Sequence, residues 1–120
     1  MRLTTKGLLN TLIEAIQEKK GRDIVVTDFS QIDGSMCRYF IICQGGSPAH
    51  IQAIANSVSD YTREHTGEKP IGVTGEQNAI WIAIDYGEIM VHIFQPDARF
   101  YYDLEHLWED AKIKKIPNID

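Results

Sequence analysis

A chain of 120 residues, 43% apolar and 24% charged, suits one globular domain (residues 1–120) with a modest core. Its net charge of −5 argues against general nucleic-acid binding, which needs a basic footprint, but it suits a basic protein partner. No apolar run approaches the roughly 20 residues of a membrane span, and no signal or transit segment follows Arg2 and Lys6, so the expected location is the cytoplasm.

Leu8, Leu9, Leu12, Ile13 and Ile16 recur at helical spacing, and Gly21 after Lys19-Lys20 reads as the stop of a first helix. "DIVVTDFS", from Asp23, is β-branched and bounded by polar residues, so it reads as a strand. The run from Tyr39 to Cys43 is continuously apolar and suits an inner strand covered on both faces. Cys37 and Cys43 lie too far apart along one extended segment to bridge, which predicts free thiols in a reducing compartment. Ser47 is a natural N-cap and Pro48 fits the first position of a second helix. Ile51, Ile54, Ala55, Val58 and Tyr61 form its stripe, and Gly67 ends it. "KPIGVTGEQN" supplies a short strand and turn, and "WIAIDYGEIMVHIF" a hairpin. "QPDARFYYD" breaks the strand. Asp103 then caps a last helix carrying Leu104, Leu107, Trp108 and Ala111, and the basic tail "KIKKIPNID" frays beyond a core of about residues 5–112. The order α-β-β-α-β-β-β-α predicts an α/β (α+β) fold, a mixed five-stranded sheet with helices packed on it.

In the hairpin, Gly87-Glu88 makes a two-residue loop with glycine first, as a type II′ turn requires. Tyr86 then faces Ile89, Ile84 faces Val91 and Ile82 faces Ile93, an aliphatic side for the helices. The other side pairs Trp81 with Phe94, Ala83 with His92 and Asp85 with Met90. A face of large aromatics beside an imidazole and a carboxylate is either core or a docking surface.

No constellation assembles a catalyst. "GGSPAH" could point backbone N–H groups at an anion, as the Gly-Ser turn of nucleotidyltransferases does, but the spaced carboxylates that would hold metal are missing: the next acid is Asp60, followed by Tyr61-Thr62. A turn and cap is the simpler reading of Gly45-Gly46-Ser47. Ser47 and His50 lack an orienting acid, so His50 pins the turn or reaches a partner. The four histidines show no zinc spacing, and neither a metal nor a cofactor is implied. Asp85 and Glu88 read as solvated turn acids, and "KIKK" as a solvated helix end.

"GRDIVVTDFS", "FIICQGGSPAHIQAIANSV" and "WIAIDYGEIMVHIFQPDARFYYDLEHLWEDA" resemble the ribosomal silencing factors, the Iojap-like family, in order from about Asp23 to Ala111. The resemblance implies a nucleotidyltransferase-like fold without the catalytic carboxylates and without enzymatic activity. It implies binding to the large ribosomal subunit through its fourteenth protein, on the face that meets the small subunit. Subunit joining is then blocked and translation slowed when nutrients are short. A role in large-subunit maturation is also associated with the family, and a nucleotide-binding enzyme at Gly45-Gly46-Ser47 is the rival reading. Trp81 matches the tryptophan of the partner-binding face. Asp85, Tyr86, Gly87, His92 and Phe94 fall on the hairpin motif, Arg99, Tyr102, Leu104 and Trp108 on the next, and Ser47 and His50 on the turn and helix start. The candidate partner-binding set is therefore Trp81, Asp85, Tyr86, His92, Phe94, Arg99, Tyr102, Ser47 and His50. Arg38, Gly46 and Thr74 depart from the family's usual acid, threonine and glutamate. No membrane and no sequence-specific nucleic acid is implied, and an exposed aromatic patch would allow a homodimer of the free protein. The missing N-terminal extension fits a bacterial rather than an organellar member.

Overall fold

The computed structural model describes residues 4–32, 34, 37–107 and 111–119. Helix α1 (Thr5–Glu18) is capped by Thr4, whose side chain accepts the Gly7 N–H at 3.0 Å. It buries Leu9, Leu12, Ala15 and Ile16, with Leu8 and Ile13 packed at the margin of the core. The residue that turns left-handed at its end is Lys20 (φ 56°), and the Gly21 N–H closes onto the Ile16 carbonyl at 3.0 Å. Strands β1 (Arg22–Asp28) and β2 (Tyr39–Gln44) then pair antiparallel.

Helix α2 (Pro48–Thr66) has the expected ends. The Ser47 hydroxyl accepts the His50 N–H at 3.1 Å, Pro48 opens the first turn, and Gly67 (φ 79°) closes the last. Ile51, Ile54, Ala55 and Val58 are buried against α1 and the sheet. Strand β3 (Gly72–Thr74) precedes the hairpin β4 (Trp81–Asp85) and β5 (Ile89–Phe94). The hairpin has the register expected from its turn: Trp81 pairs with Phe94, Ile82 with Ile93, Ala83 with His92, Ile84 with Val91 and Asp85 with Met90. Gly87 takes φ 88° and its N–H is held by Asp85 Oδ1 at 2.7 Å.

The C-terminal region corrects the expectation. The helix is α3 (Pro96–Tyr102), earlier than the sequence pattern placed it. Pro96 starts it directly after β5, and Asp103 does not open a helix: it sits left-handed (φ 48°) at the end of α3. Leu104–His106 form only a 3-10 turn, Ala111 lies outside any helix, and Trp108 falls outside the described residues. The first part of the tail is ordered into the sheet. Lys112–Ile116 form β6, antiparallel to β1, with Ile116 opposite Ile24 and Lys112 opposite Asp28. "KIKK" is thus an edge strand and not a helix end. Charged edge strands are the usual way to close a sheet without inviting another chain.

The mixed sheet has six strands rather than five, ordered β3-β4-β5-β2-β1-β6, and β2 runs parallel to β5. Helices α1 and α2 cover one side. There the core holds Ile24, Val26, Ile41, Cys43, Ile82, Ile84, Ile89, Val91 and Ile93. No disulfide joins Cys37 to Cys43, and burial pushes the Cys43 thiol up to about 12. The opposite side of the sheet carries Phe40, Trp81, His92 and Phe94.

Candidate functional site: an aromatic rim on the second side of the sheet

Four of the candidate residues meet on that side. Alternation along β4 and β5 brings Trp81, His92 and Phe94 to one face. Helix α3 lays Tyr102 over their end. The Trp81 ring stacks on Phe94 at 4.9 Å between centroids and meets Tyr102 at 4.8 Å. Tyr101 stands edge-on to Tyr102 at 5.1 Å. Each such pair contributes about 0.5–1.5 kcal/mol beyond simple burial.

Exposure rises along this chain of rings. Phe94 is fully buried, Trp81 is half-buried, Tyr102 is 49% exposed and Tyr101 is 80% exposed. The centre of the face is therefore core, and its rim is what solvent sees. Phe100, 89% exposed, lies on the same helix but lines a groove toward Asp23 and Asn118 rather than the rim. Exposed aromatics grouped on one element, beside a buried ring cluster, are the composition of a protein-docking surface.

His92 belongs to the buried part. Trp81 Nε1–H donates to His92 Nδ1 at 3.0 Å, so the proton of the neutral imidazole sits on Nε2. That Nε2 is buried with no hydrogen-bond partner among the described residues. The Phe40 ring lies edge-on at 4.5 Å. Burial lowers the His92 pKa to about 4, which keeps it neutral near pH 7.

The other candidates are elsewhere. Asp85 closes the hairpin turn. Tyr86 is on the helix side and donates its hydroxyl to the Val58 carbonyl at 3.4 Å; burial raises its pKa. Ser47 caps α2. His50 is a pin: Nδ1 accepts the Gly46 N–H at 3.0 Å, which leaves Nε2–H to donate to the Lys19 carbonyl at 2.7 Å. It thereby ties the end of α1 to the start of α2. Arg99 is 9% exposed and turned inward. Its guanidinium forks onto Glu105 at 2.9 and 3.1 Å and donates to the Asp23 carbonyl and Gln44 Oε1. Among the described residues no group of His, Cys, Asp and Glu could hold a metal ion, and no helix is long and apolar enough to cross a membrane.

Sequence reasoning missed Phe40, Phe100, Tyr101 and Glu105. Phe40 reaches His92 only because β2 lies parallel beside β5, a pairing without a local signal. Phe100 and Tyr101 were legible as aromatics, but their exposure depends on how α3 lies.

This arrangement has counterparts. The family model "Ribosomal silencing factor during starvation" matches residues 2–120. The chain belongs to that family. It is 35% identical to ribosomal silencing factor RsfS of Bacillus subtilis over 114 residues, 95% of each chain. A crystal structure of a Chromobacterium violaceum protein superposes with TM-score 0.84 at 33% identity, covering 92% of this chain and 90% of that one. A mouse protein named mitochondrial assembly of ribosomal large subunit protein 1 is 28% identical over 104 residues, which span 83% of this chain and 44% of that protein. The family is named for silencing, a regulatory role rather than catalysis.

Proposed function

We propose that this member silences ribosomes by steric exclusion in the cytoplasm. It binds the large ribosomal subunit through the fourteenth large-subunit protein, on the face that meets the small subunit. Bound there, it blocks joining and represses translation under nutrient limitation. The contact is made by the rim of Trp81 and Tyr102, continued by Tyr101 on α3. The observation that carries this reading is the graded aromatic chain from buried Phe94 to exposed Tyr101 in a member of a silencing family. The net charge of −5 favours a basic protein partner over bare RNA. In the free protein a second copy could cover the same rim, and sedimentation of the free chain reads that.

The test is subunit reassociation followed by light scattering, with large subunits saturated by the protein before small subunits are added. Reassociation should fall with occupancy. Undiminished reassociation at full occupancy would remove steric exclusion.

The name of the mouse relative favours a second reading, a factor that acts in large-subunit maturation. Preferential sedimentation with precursor subunits over mature ones would select it. A nucleotide-binding role at Gly45-Gly46-Ser47 has less support, since Ser47 and His50 are already engaged in capping and pinning. Calorimetry with ATP or GTP and magnesium tests it, and the expected result is no heat.

A further inference from the structure

Helix α3 has 7 residues, too few to hold a helix by itself in water. Something must fix it, because the direction of Tyr102 depends on it. Its start is fixed at Gln95, whose N–H donates to the Ile80 carbonyl at 2.8 Å and whose side chain donates to the Ala79 carbonyl at 3.1 Å. Its end is fixed by Arg99. One guanidinium, 9% exposed, reaches the Asp23 carbonyl at the start of β1, Gln44 at the end of β2, and both Glu105 carboxylate oxygens in the following 3-10 turn. Three residues later, Tyr102 meets Trp81 at 4.8 Å.

We propose that Arg99 and Glu105 are positioning residues for the docking rim: they clamp α3 so that Tyr102 packs on Trp81, and they do not touch the partner. This deepens the docking reading above and rests on it. The pair suits the task chemically. A planar fork matches a carboxylate in two-point contact and leaves a nitrogen for the two further acceptors, which a lysine ammonium on a flexible stem cannot reproduce. Being nearly dry, the pair is less weakened by water and salt than a surface ion pair.

The test uses the full chain with Trp108→Phe, so that Trp81 is the one tryptophan. Arg99→Lys and Glu105→Gln are made in that background, with Trp81→Ala in the natural chain as control. Cooperative unfolding confirms that each variant is folded; if Arg99→Lys does not fold, Glu105→Gln decides. Trp81 emission and co-sedimentation with isolated large subunits are then measured. The expected result is a folded protein whose Trp81 emission moves to longer wavelength and whose affinity falls about tenfold, the scale of a loosened rather than a deleted contact. Unchanged emission with unchanged affinity overturns the proposal. Weaker binding with unchanged emission also overturns it, because the pair would then touch the partner directly. Shifted emission with full affinity overturns it as well, since docking would not need the clamped geometry. If Trp81→Ala itself binds like the natural chain, the docking reading fails, and emission alone still reports whether the clamp holds Tyr102 on Trp81.

Discussion

The Trp81 indole N–H donates to His92 Nδ1 at 3.0 Å, across from one strand of the hairpin to the other. The bond joins a half-buried ring to one that is 3% exposed, so the rim is anchored in the core by a polar contact as well as by stacking. It also sets the tautomer of the imidazole, and a protonated His92 could not accept it.

Stability should therefore depend on pH through His92. In the folded chain burial lowers its pKa to about 4, while an unfolded histidine titrates near 6.5. Between these values the unfolded state binds a proton that the folded state does not, so stability falls as pH falls from about 6.5 to about 4. The full effect is roughly 3 kcal/mol. Urea unfolding at several pH values is expected to show the natural chain losing this increment relative to His92→Gln. Equal slopes for both would mean that His92 does not titrate this way.

Trp81→Phe keeps the stack on Phe94 but leaves His92 Nδ1 as a buried unpaired acceptor, at a cost of about 1–3 kcal/mol. Removing both polar partners, as in Trp81→Phe with His92→Phe, should recover much of that loss. A double-mutant cycle by thermal unfolding measures the coupling. Strictly additive losses would show that the bond contributes nothing to the fold.

Gly75 sits at φ 86°, and a Cβ there would collide with the Trp81 carbonyl oxygen, a backbone atom with little room to give. Gly75→Ala is expected to cost at least about 2 kcal/mol, through backbone strain and displacement of the residue that anchors the rim. Gly67→Ala is the comparison: φ is 79° but nothing lies within 4 Å, so only about 1 kcal/mol is expected. Similar losses at both sites would show that the crowding at Trp81 relaxes easily.

Deleting residues 112–120 removes β6 and leaves the outer edge of β1 unpaired. It also removes Asn118, whose side-chain oxygen accepts the Asp23 N–H at 2.8 Å, next to the carbonyl that Arg99 holds. The expected outcome is a lower melting temperature and association that grows with concentration, read by calorimetry and size-exclusion chromatography. A truncated chain that melts unchanged as a monomer would make β6 an ornament on the sheet.

Much of this protein was decided locally and could be read residue by residue. The Ser47 cap, the Pro48 start and the Gly67 stop of α2 follow from backbone chemistry within a few residues. The hairpin register follows from a two-residue turn and strict alternation, so the pairing of Trp81 with Phe94 was legible before any coordinates. What failed to read locally depends on distant segments. Lysines at 112, 114 and 115 resemble a solvated helix end until β1 offers an open edge to pair with. Nothing local to Arg99 signals that Asp23, Gln44 and Glu105 converge on it from three other places in the chain. Composition set which side chains could form an aromatic face. The parallel placement of β2 beside β5 and the docking of α3 decided which of those rings are buried and which meet solvent, because burial is settled by neighbours remote in sequence.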